Sequence, residues 1–582
     1  MKIVITGVGI VSSLGFGQQA TLHALLHEQS GIAAPVYLPT NHKEHPVGEV
    51  HASNASLAVR LGITETLSRT ALLGVAAVRE ALSQADICEL SQTAFISGTT
   101  VGGMDHTERY WSNKSDVNCQ ISIVQCHTAG SSTEQIARQV GTFAMTGTIS
   151  TACSSALNAV IAACNLIRSG QYRQVVAGGA ESLSLFHFNG FRALQILSDE
   201  VCRPFSANRK GLNLGEGAAY VVVETEDSAL QRKAPILAYI NGYGNACDAF
   251  HQTASSDDGE GAFLAMQQAL SMAHIEPAQV DYINAHGTGT PNNDSSETAA
   301  MHRLFGEIVP PFSSTKAFTG HATSAAGGIE LVISLLALQH GFIPANLHFQ
   351  QTMENGMTPV CQTEQKVLRN VLCNSFGFGG NDSSLLIAKE GQDLSAALED
   401  NTYTVLADVT ATEEADYKRY ISSMQARRLS PMLRQLVFAA YSALEEAQGI
   451  VPDAIITGTD LGCIAYSVAL LNQLTEEGED ALSPTLFMQS THNTPSSLIA
   501  ILTRNHGYNC TWSHGAHSYE QALRDAQTQI QLGLIRSALV LGFEENDDTW
   551  QALEAAANIH HAPQARATLI IRTNDQRLTT ND

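Results

Sequence analysis

The sequence predicts an α/β protein of layered strands and helices whose first half recurs, in reduced form, at the C-terminus. Three observations carry that prediction. Short β-branched runs alternate with segments whose apolar residues recur every three or four positions, the pattern of strands buried between helices. Apolar residues make up 44% of the chain and charged residues 15%, as in a well-buried globular protein. At 582 residues the chain is too long for one domain, and its final stretch repeats spacings found in the first.

Taken in order, Met1 to Val11 superficially resembles a signal peptide but lacks a good cleavage site, and reads as a buried first strand. Gly7-Val8-Gly9 is a weak dinucleotide fingerprint, because Ser12 occupies the third glycine position. A helix is expected from about Ser68 to Ala85 and a strand over Thr93 to Thr99. The centre of the chain is Gly147 to Leu157. There a strand end, Ile149 to Thr151, meets a helix over Ala156 to Arg168, with Leu157, Val160, Ile161, Cys164 and Ile167 at helical spacing. Cys153 falls at the turn, beside the positive end of a helix dipole, where a thiolate is favoured. Most of the eleven cysteines read as structural; this one reads as a nucleophile.

Strands over Gln174 to Glu181 and Gly215 to Glu224 close a first half spanning 1–230. A second α/β half is expected over 231–390, a polar linker over 391–402, and an additional α/β half domain over 403–582. The last unit mirrors the first: Ala454 to Gly462 repeats Ala94 to Gly102, and Ala522, Ala526, Ile530, Gly533, Gly542 and Glu544 repeat Ala159, Ala163, Ile167, Gly170, Gly179 and Glu181. Cys153 then falls on Ala516, or on His517 after a slip of one; neither side chain can form a thioester.

The net charge of −24, from 32 basic and 56 acidic residues, argues against nucleic acid and anionic membrane as partners. The cysteines form no CxxC pair, so neither a disulfide framework nor a metal site is expected, and reduced thiols fit a cytoplasmic protein. Leu331 to Leu338, the longest apolar helix candidate, is far too short to span a membrane.

Three Gly-rich loops each follow an apolar strand, where α/β enzymes commonly place working residues. They are Asn284-Ala285-His286-Gly287-Thr288-Gly289-Thr290 running on to Asp294 and Glu297, Lys316-Ala317-Phe318-Thr319-Gly320-His321 running on to Glu330, and Asn374-Ser375-Phe376-Gly377-Phe378-Gly379-Gly380-Asn381-Asp382. Taken singly, each reads equally as a tight connection; together they frame a thiol with two imidazoles.

With these motifs in order, and with Pro204-Phe205, Arg209 and Gly215-Glu216-Gly217-Ala218 added, residues 1 to about 390 resemble the elongating β-ketoacyl-[acyl-carrier-protein] synthases of the thiolase superfamily. The resemblance implies a five-layered αβαβα thiolase-like fold, usually dimeric. It implies that Cys153 takes the acyl chain, that backbone N–H groups of Cys153 and Phe378 hold the oxyanion, and that His286 and His321 stabilise the enolate left when malonyl-carrier protein loses CO2. Lys316 would orient His321, with Glu330 as its counter-charge. Thr288 and Thr290 would bind the phosphopantetheine arm of the acyl carrier protein, Phe378 with Phe376 would gate the site, and Asp294 and Glu297 would support it. No cofactor is implied beyond that carried arm.

One departure stands out: the family continues Gly-Gly-Thr-Asn where this chain has Gly380-Asn381-Asp382, so altered hydrogen bonding is expected around Asp382. Residues 403–582 resemble, more loosely, the N-terminal-like halves of chain-length-factor-type partners in some type II polyketide and aryl-polyene pathways, so a homodimer or an internal pseudo-dimer is expected. The competing readings are a non-catalytic chain-length partner and a coenzyme A-dependent thiolase. A module of a large type I synthase is disfavoured because no acyltransferase or carrier motif follows. Carrier proteins are acidic, so docking on this acidic chain needs a local basic patch; Arg203, Arg209 and Lys210 are candidates, with internal ion pairing as the equal alternative.

Overall fold

The computed structural model describes residues 1–396, 398 and 402–573. The expected linker over 391–402 lies partly outside them. What is described of it is pinned to the body: Leu394 is buried, its N–H donates to the Met1 carbonyl, and its carbonyl accepts from Arg168 Nε at 3.0 Å.

Residues 1–390 build the five layers. The first strand, Ile3–Ser12, is buried at every position and pairs antiparallel with Gly217–Thr225. Gly7 and Gly9 serve close packing: a Cβ there would lie 2.2 Å from the Ala81 carbonyl and 1.9 Å from that of Ala77. Those carbonyls belong to the outer helix Arg69–Ala85, which starts where Ser68 accepts a hydrogen bond from the Ala71 N–H. The sheet continues through Gln174–Glu181 and Ala94–Gly98 to Met145–Ile149.

A second sheet contains Ala238–Cys247, Asn381–Ala388, Asn370–Gly377 and Tyr282–Asn284, and joins the first where Ile3 to Ile5 also pair with Ala238 to Ile240. Between the sheets lie two helices, Ser155–Arg168 and Ala326–His340. Every residue of Ser155–Arg168 is buried, because strands cover it on both sides. Helices Glu260–Met272 and Pro291–Phe305 form the other outer layer.

The C-terminal unit repeats the first sheet, in the order Tyr403–Thr410, Gln564–Arg572, Ser537–Glu544, Ala454–Gly458, Tyr508–Trp512. The repeat extends to irregularities: the first strand carries a bulge between Ile5 and Gly7, and its counterpart one between Val405 and Ala407. The two sheets meet edge to edge. Trp512 pairs antiparallel with Ile149, Ser150 donates to the Thr511 carbonyl at 2.9 Å, and Ser513 donates to that of Thr148 at 2.9 Å. One apolar core runs across the junction, from Ile149 and Leu157 to Trp512, Ala522 and Ala526.

The helix equivalent to Ser155–Arg168 is Ser518–Gln531, which packs on the C-terminal sheet and on Ser155–Arg168 itself. Its chemistry follows: Glu520 is exposed and Arg524 half-buried, while Ala522, Ala526 and Ile530 are buried. An amphipathic helix replaces one that is buried all round, and its apolar face packs into the core shared with the first sheet. Among the described residues no helix is long and apolar enough to cross a membrane.

Candidate active site

Cys153 sits in a single turn of 3₁₀ helix, Ala152–Ser154, that feeds directly into Ser155–Arg168. Ala152 holds φ at +53°, a left-handed backbone that costs about 1–2 kcal/mol for a residue with a Cβ. Ser155 braces it, its hydroxyl donating to the Ala152 carbonyl at 2.7 Å and accepting from the Thr151 N–H at 2.9 Å. The C-terminal unit reproduces this brace: Ser518 donates to the Gly515 carbonyl at 2.7 Å and accepts from the His514 N–H at 2.8 Å, with Gly515 at φ +58°. That register places Ala516, not His517, opposite Cys153. The nucleophile turn survives there without the nucleophile.

The ligating atoms of Cys153, His286 and His321 all lie within 4.8 Å of one another, and all three residues are buried. His321 Nε2 is 3.1 Å from Cys153 Sγ, and the two imidazole centroids are 5.3 Å apart. Backbone bonds hold His321: its N–H donates to the Asn213 carbonyl at 2.7 Å, and its carbonyl accepts from Gly215 at 2.9 Å. Glu297 holds the other histidine loop, accepting from the His286 N–H at 2.8 Å and the Gly287 N–H at 2.7 Å. Asp294 accepts from Gly289 at 3.1 Å and from Phe205 at 2.7 Å. Phe376 packs its ring 5.9 Å from His286, and Ser375 donates to the Cys153 carbonyl at 3.0 Å.

Burial and the nearby Lys316 charge hold both imidazoles well below the usual histidine range, so both are neutral. The expectation of a resting thiolate is corrected. Burial pushes Cys153 up to about 12, and Lys316 together with the backbone N–H groups of Phe378 and Cys153 only partly opposes it. At this depth the cost of desolvating an anion outweighs the helix terminus. The resting pair is a thiol beside a neutral imidazole.

The placement of Lys316 is a second correction. Its ammonium lies 3.2 Å from His286 Nδ1, donates to the His286 carbonyl and pairs with Glu330, so it braces His286 and not His321. Burial raises Glu330 to about 7 against the pull of Lys316. Around Asp382, the Gly377 N–H of the loop acts on the carboxyl, as the departure from the family pattern leads one to expect. Asp382 does not line the cavity at Cys153; burial and the neighbouring Asp248 hold its carboxyl well above the usual range. The loop's own bonds are intact, with Gly380 donating to Gly377 at 3.0 Å and Gly379 to Gln252 at 2.7 Å.

The three basic candidates have internal partners: Arg203 pairs with Glu200, Lys210 with Glu200 at 3.1 Å, and Arg209 with Asp294 at 3.5 Å. Arg209 is largely buried and braces the Thr290 loop, and Lys210 is the most exposed of the three.

Two cavities converge on Cys153. One of about 410 Å3 runs past His286, His321, Thr288, Thr290, Phe376 and Phe378, with Thr288 and Thr290 hydrogen-bonded to each other at 2.9 Å. The second, about 60 Å3, lies beside Phe191 and Phe378, and part of its wall comes from the C-terminal unit: Leu461, Ser467, Phe487 and His492. Sequence reasoning missed this wall and the residues facing it, His127, His187 and Phe191, because no local pattern marks a contact made across a domain junction.

Comparison with known proteins agrees with this geometry. Residues 1–229 match the β-ketoacyl synthase N-terminal domain, 237–350 its C-terminal domain, and 404–582 a β-ketoacyl synthase N-terminal domain a second time. The chain is 31% identical over 414 residues to 3-oxoacyl-[acyl-carrier-protein] synthase 2 of Staphylococcus aureus, covering 67% of this chain and 98% of that protein. It resembles the ishigamide ketosynthase/chain length factor structure with a TM-score of 0.63 at 30% identity, over 67% of this chain and 99% of that one. A PfaC ketosynthase–chain length factor structure shares the fold over 98% of this chain and 78% of its own, with a TM-score of 0.83 at 17% identity. The chain is a Cys-His-His member of the β-ketoacyl synthase family.

Proposed function

We propose that the protein condenses an acyl group with malonyl-acyl carrier protein, with loss of CO2, in fatty-acid or type II polyketide assembly. The single observation that carries this reading is the convergence of Cys153 Sγ, His321 Nε2 and the His286 ring at the end of a cavity lined by Thr288 and Thr290. Cys153 gives its proton to His321 Nε2 as the sulfur attacks the carrier thioester. The new C–S bond forms, and the carrier leaves as a thiolate that takes a proton from water, so His321 keeps the cysteine proton on Nε2. Backbone N–H groups of Cys153 and Phe378 bind the oxyanion. Malonyl-carrier protein then loses CO2, and the freed electron pair becomes an enolate whose oxygen accepts from His286 and His321. Its carbon attacks the Cys153 thioester, and the released sulfur takes its proton back from His321 Nε2. Thr288 and Thr290 line the way in and bind the pantetheine arm.

The units over 1–230 and 231–390 together form the catalytic body, and 403–582 serves as a built-in pseudo-dimer partner. The edge-to-edge joining of Met145–Ile149 to Tyr508–Trp512, and the half-domain wall of the smaller cavity, support that role and a part in limiting product length. Intact-mass measurement after incubation with acyl-carrier proteins tests the reading. One acyl adduct is expected on the wild-type protein and none on Cys153→Ala. His286→Ala should load normally yet lose malonyl decarboxylation, and an adduct persisting on Cys153→Ala would refute the assignment.

A further inference from the structure

The loop that carries Phe378 is tied down by the C-terminal unit. Phe378 is flanked by Gly377, Gly379 and Gly380, with Gly379 at φ +82° and Gly380 at φ +73°, so the loop has little stiffness of its own. Its N–H faces the Cys153 sulfur on one side. On the other side its carbonyl accepts a 2.8 Å hydrogen bond from Asn493 Nδ2, a side chain of the C-terminal unit that is 1% exposed. Asn493 stands at the start of helix Thr494–Thr503, and among the described residues its Oδ1 has no partner. The amide therefore spends its one hydrogen bond on the gating loop.

Further ties converge on the same loop. A Cβ on Gly379 would lie 2.1 Å from Ser497 Oγ and 2.8 Å from Asn493 Nδ2, so the C-terminal unit touches the backbone itself. The Gly379 N–H donates to the Gln252 carbonyl at 2.7 Å, and the Gln252 side chain exchanges two hydrogen bonds, at 2.8 and 3.2 Å, with Gln489 of the same unit. The Phe378 ring stacks on Phe191 at 5.6 Å, and Phe191 meets Phe487 edge-on at 5.3 Å.

We infer that Asn493 is a positioning residue for the acyl-transfer step: by holding the Phe378 carbonyl it fixes the adjacent peptide so that the Phe378 N–H points where the thioester oxyanion develops. The C-terminal unit thus contributes to reaction rate as well as to pocket shape. This inference rests on the ketosynthase reading above. The physical basis is that an oxyanion donor helps only when preorganised, and a displacement of about 1 Å can cost up to about a hundredfold in rate.

The test uses full-length Asn493→Ala and the near-isosteric Asn493→Leu, which keeps the packing and removes the donor. Transfer of an octanoyl group from carrier protein to Cys153 is followed by single-turnover intact mass, and malonyl-carrier protein decarboxylation is measured separately. Loading should slow about 10- to 100-fold in both variants. Decarboxylation, which depends on the histidines, should stay within about twofold. Loading within twofold of wild type in either folded variant, or an equal fall in both steps, overturns the inference. A wild-type protein that fails to load would instead overturn the ketosynthase assignment, and this inference with it.

Discussion

Lys316 Nζ lies 3.2 Å from His286 Nδ1, while His321 Nδ1 has no partner among the described residues. An ammonium can only donate, so His286 Nδ1 must accept, and the ring proton resides on Nε2. Lys316 thereby sets His286 as a donor, the form an enolate oxygen requires. Replacing Lys316 with Met should lower malonyl decarboxylation by about 100-fold or more while acyl loading of Cys153 persists. Because Lys316→Met leaves Glu330 buried without its cation, stability should also fall by about 3–5 kcal/mol. The double variant Lys316→Met/Glu330→Gln should recover stability in a denaturant titration but not decarboxylation. Recovery of both would show that the lysine acts only on the fold.

The buried thiol carries its own expectation. With Cys153 pushed up to about 12 by burial, the free enzyme holds little thiolate at neutral pH. Alkylation of Cys153 by iodoacetamide should therefore keep rising with pH from 7 to 10, by close to tenfold per unit. A plateau below pH 8 would show that the helix terminus and Lys316 outweigh burial after all.

The junction between the sheets should be needed for a well-behaved protein. Trp512 is 4% exposed, pairs with Ile149 and packs over Gly147, where an added Cβ would come within 2.9 Å of its ring. A 1–391 truncation uncovers this apolar edge and should aggregate or change its oligomeric state in sedimentation. In the full chain, Trp512→Ala should cost about 3–5 kcal/mol of stability. A truncated protein that stays soluble, keeps the full-length oligomeric state and makes the same products would reduce the C-terminal unit to a passenger.

His561 offers a pH test of that unit. Its ring bridges Asp460, at 2.9 Å, and Glu554, at 2.6 Å, and the hydrogen bond to Asp460 is the main cause of its rise to about 9. The folded value lies above the unfolded one of about 6.5. Its stabilising contribution is therefore fully present below about pH 6.5 and is lost as pH rises through about 9. The gap in melting temperature between wild type and His561→Gln should be widest near pH 6 and close by pH 10. A gap independent of pH would show that the ring contributes packing alone.

Much of this was legible in the chain itself because the signals are local. A strand end, a turn of small residues and an apolar helix lie within Gly147 to Arg168, which points to Cys153 as a nucleophile, and the two histidine motifs settle it. The histidine loops announce themselves by their glycines, and the repeat by strand and helix spacing that outlived the lost cysteine. Even the missing second layer around Ser518–Gln531 is written in Glu520 and Arg524, since a helix sandwiched between two sheets would not carry them on its surface.

Tertiary structure alone decided which partner each of these residues meets. Lys316 and His321 are five residues apart, yet the ammonium turns to His286, thirty residues upstream. Asp382 stands at the end of the loop over 374–382, yet the charge its carboxyl meets is Asp248, from a distant part of the chain. Asn493 reaches Phe378 across 115 residues of chain, through a contact made where the two sheets come together. Periodicity and turn chemistry act over a few residues and can be read in order. Burial, and the choice of which amide meets which carbonyl, depend on how separate sheets come together, and that is not written at any one position.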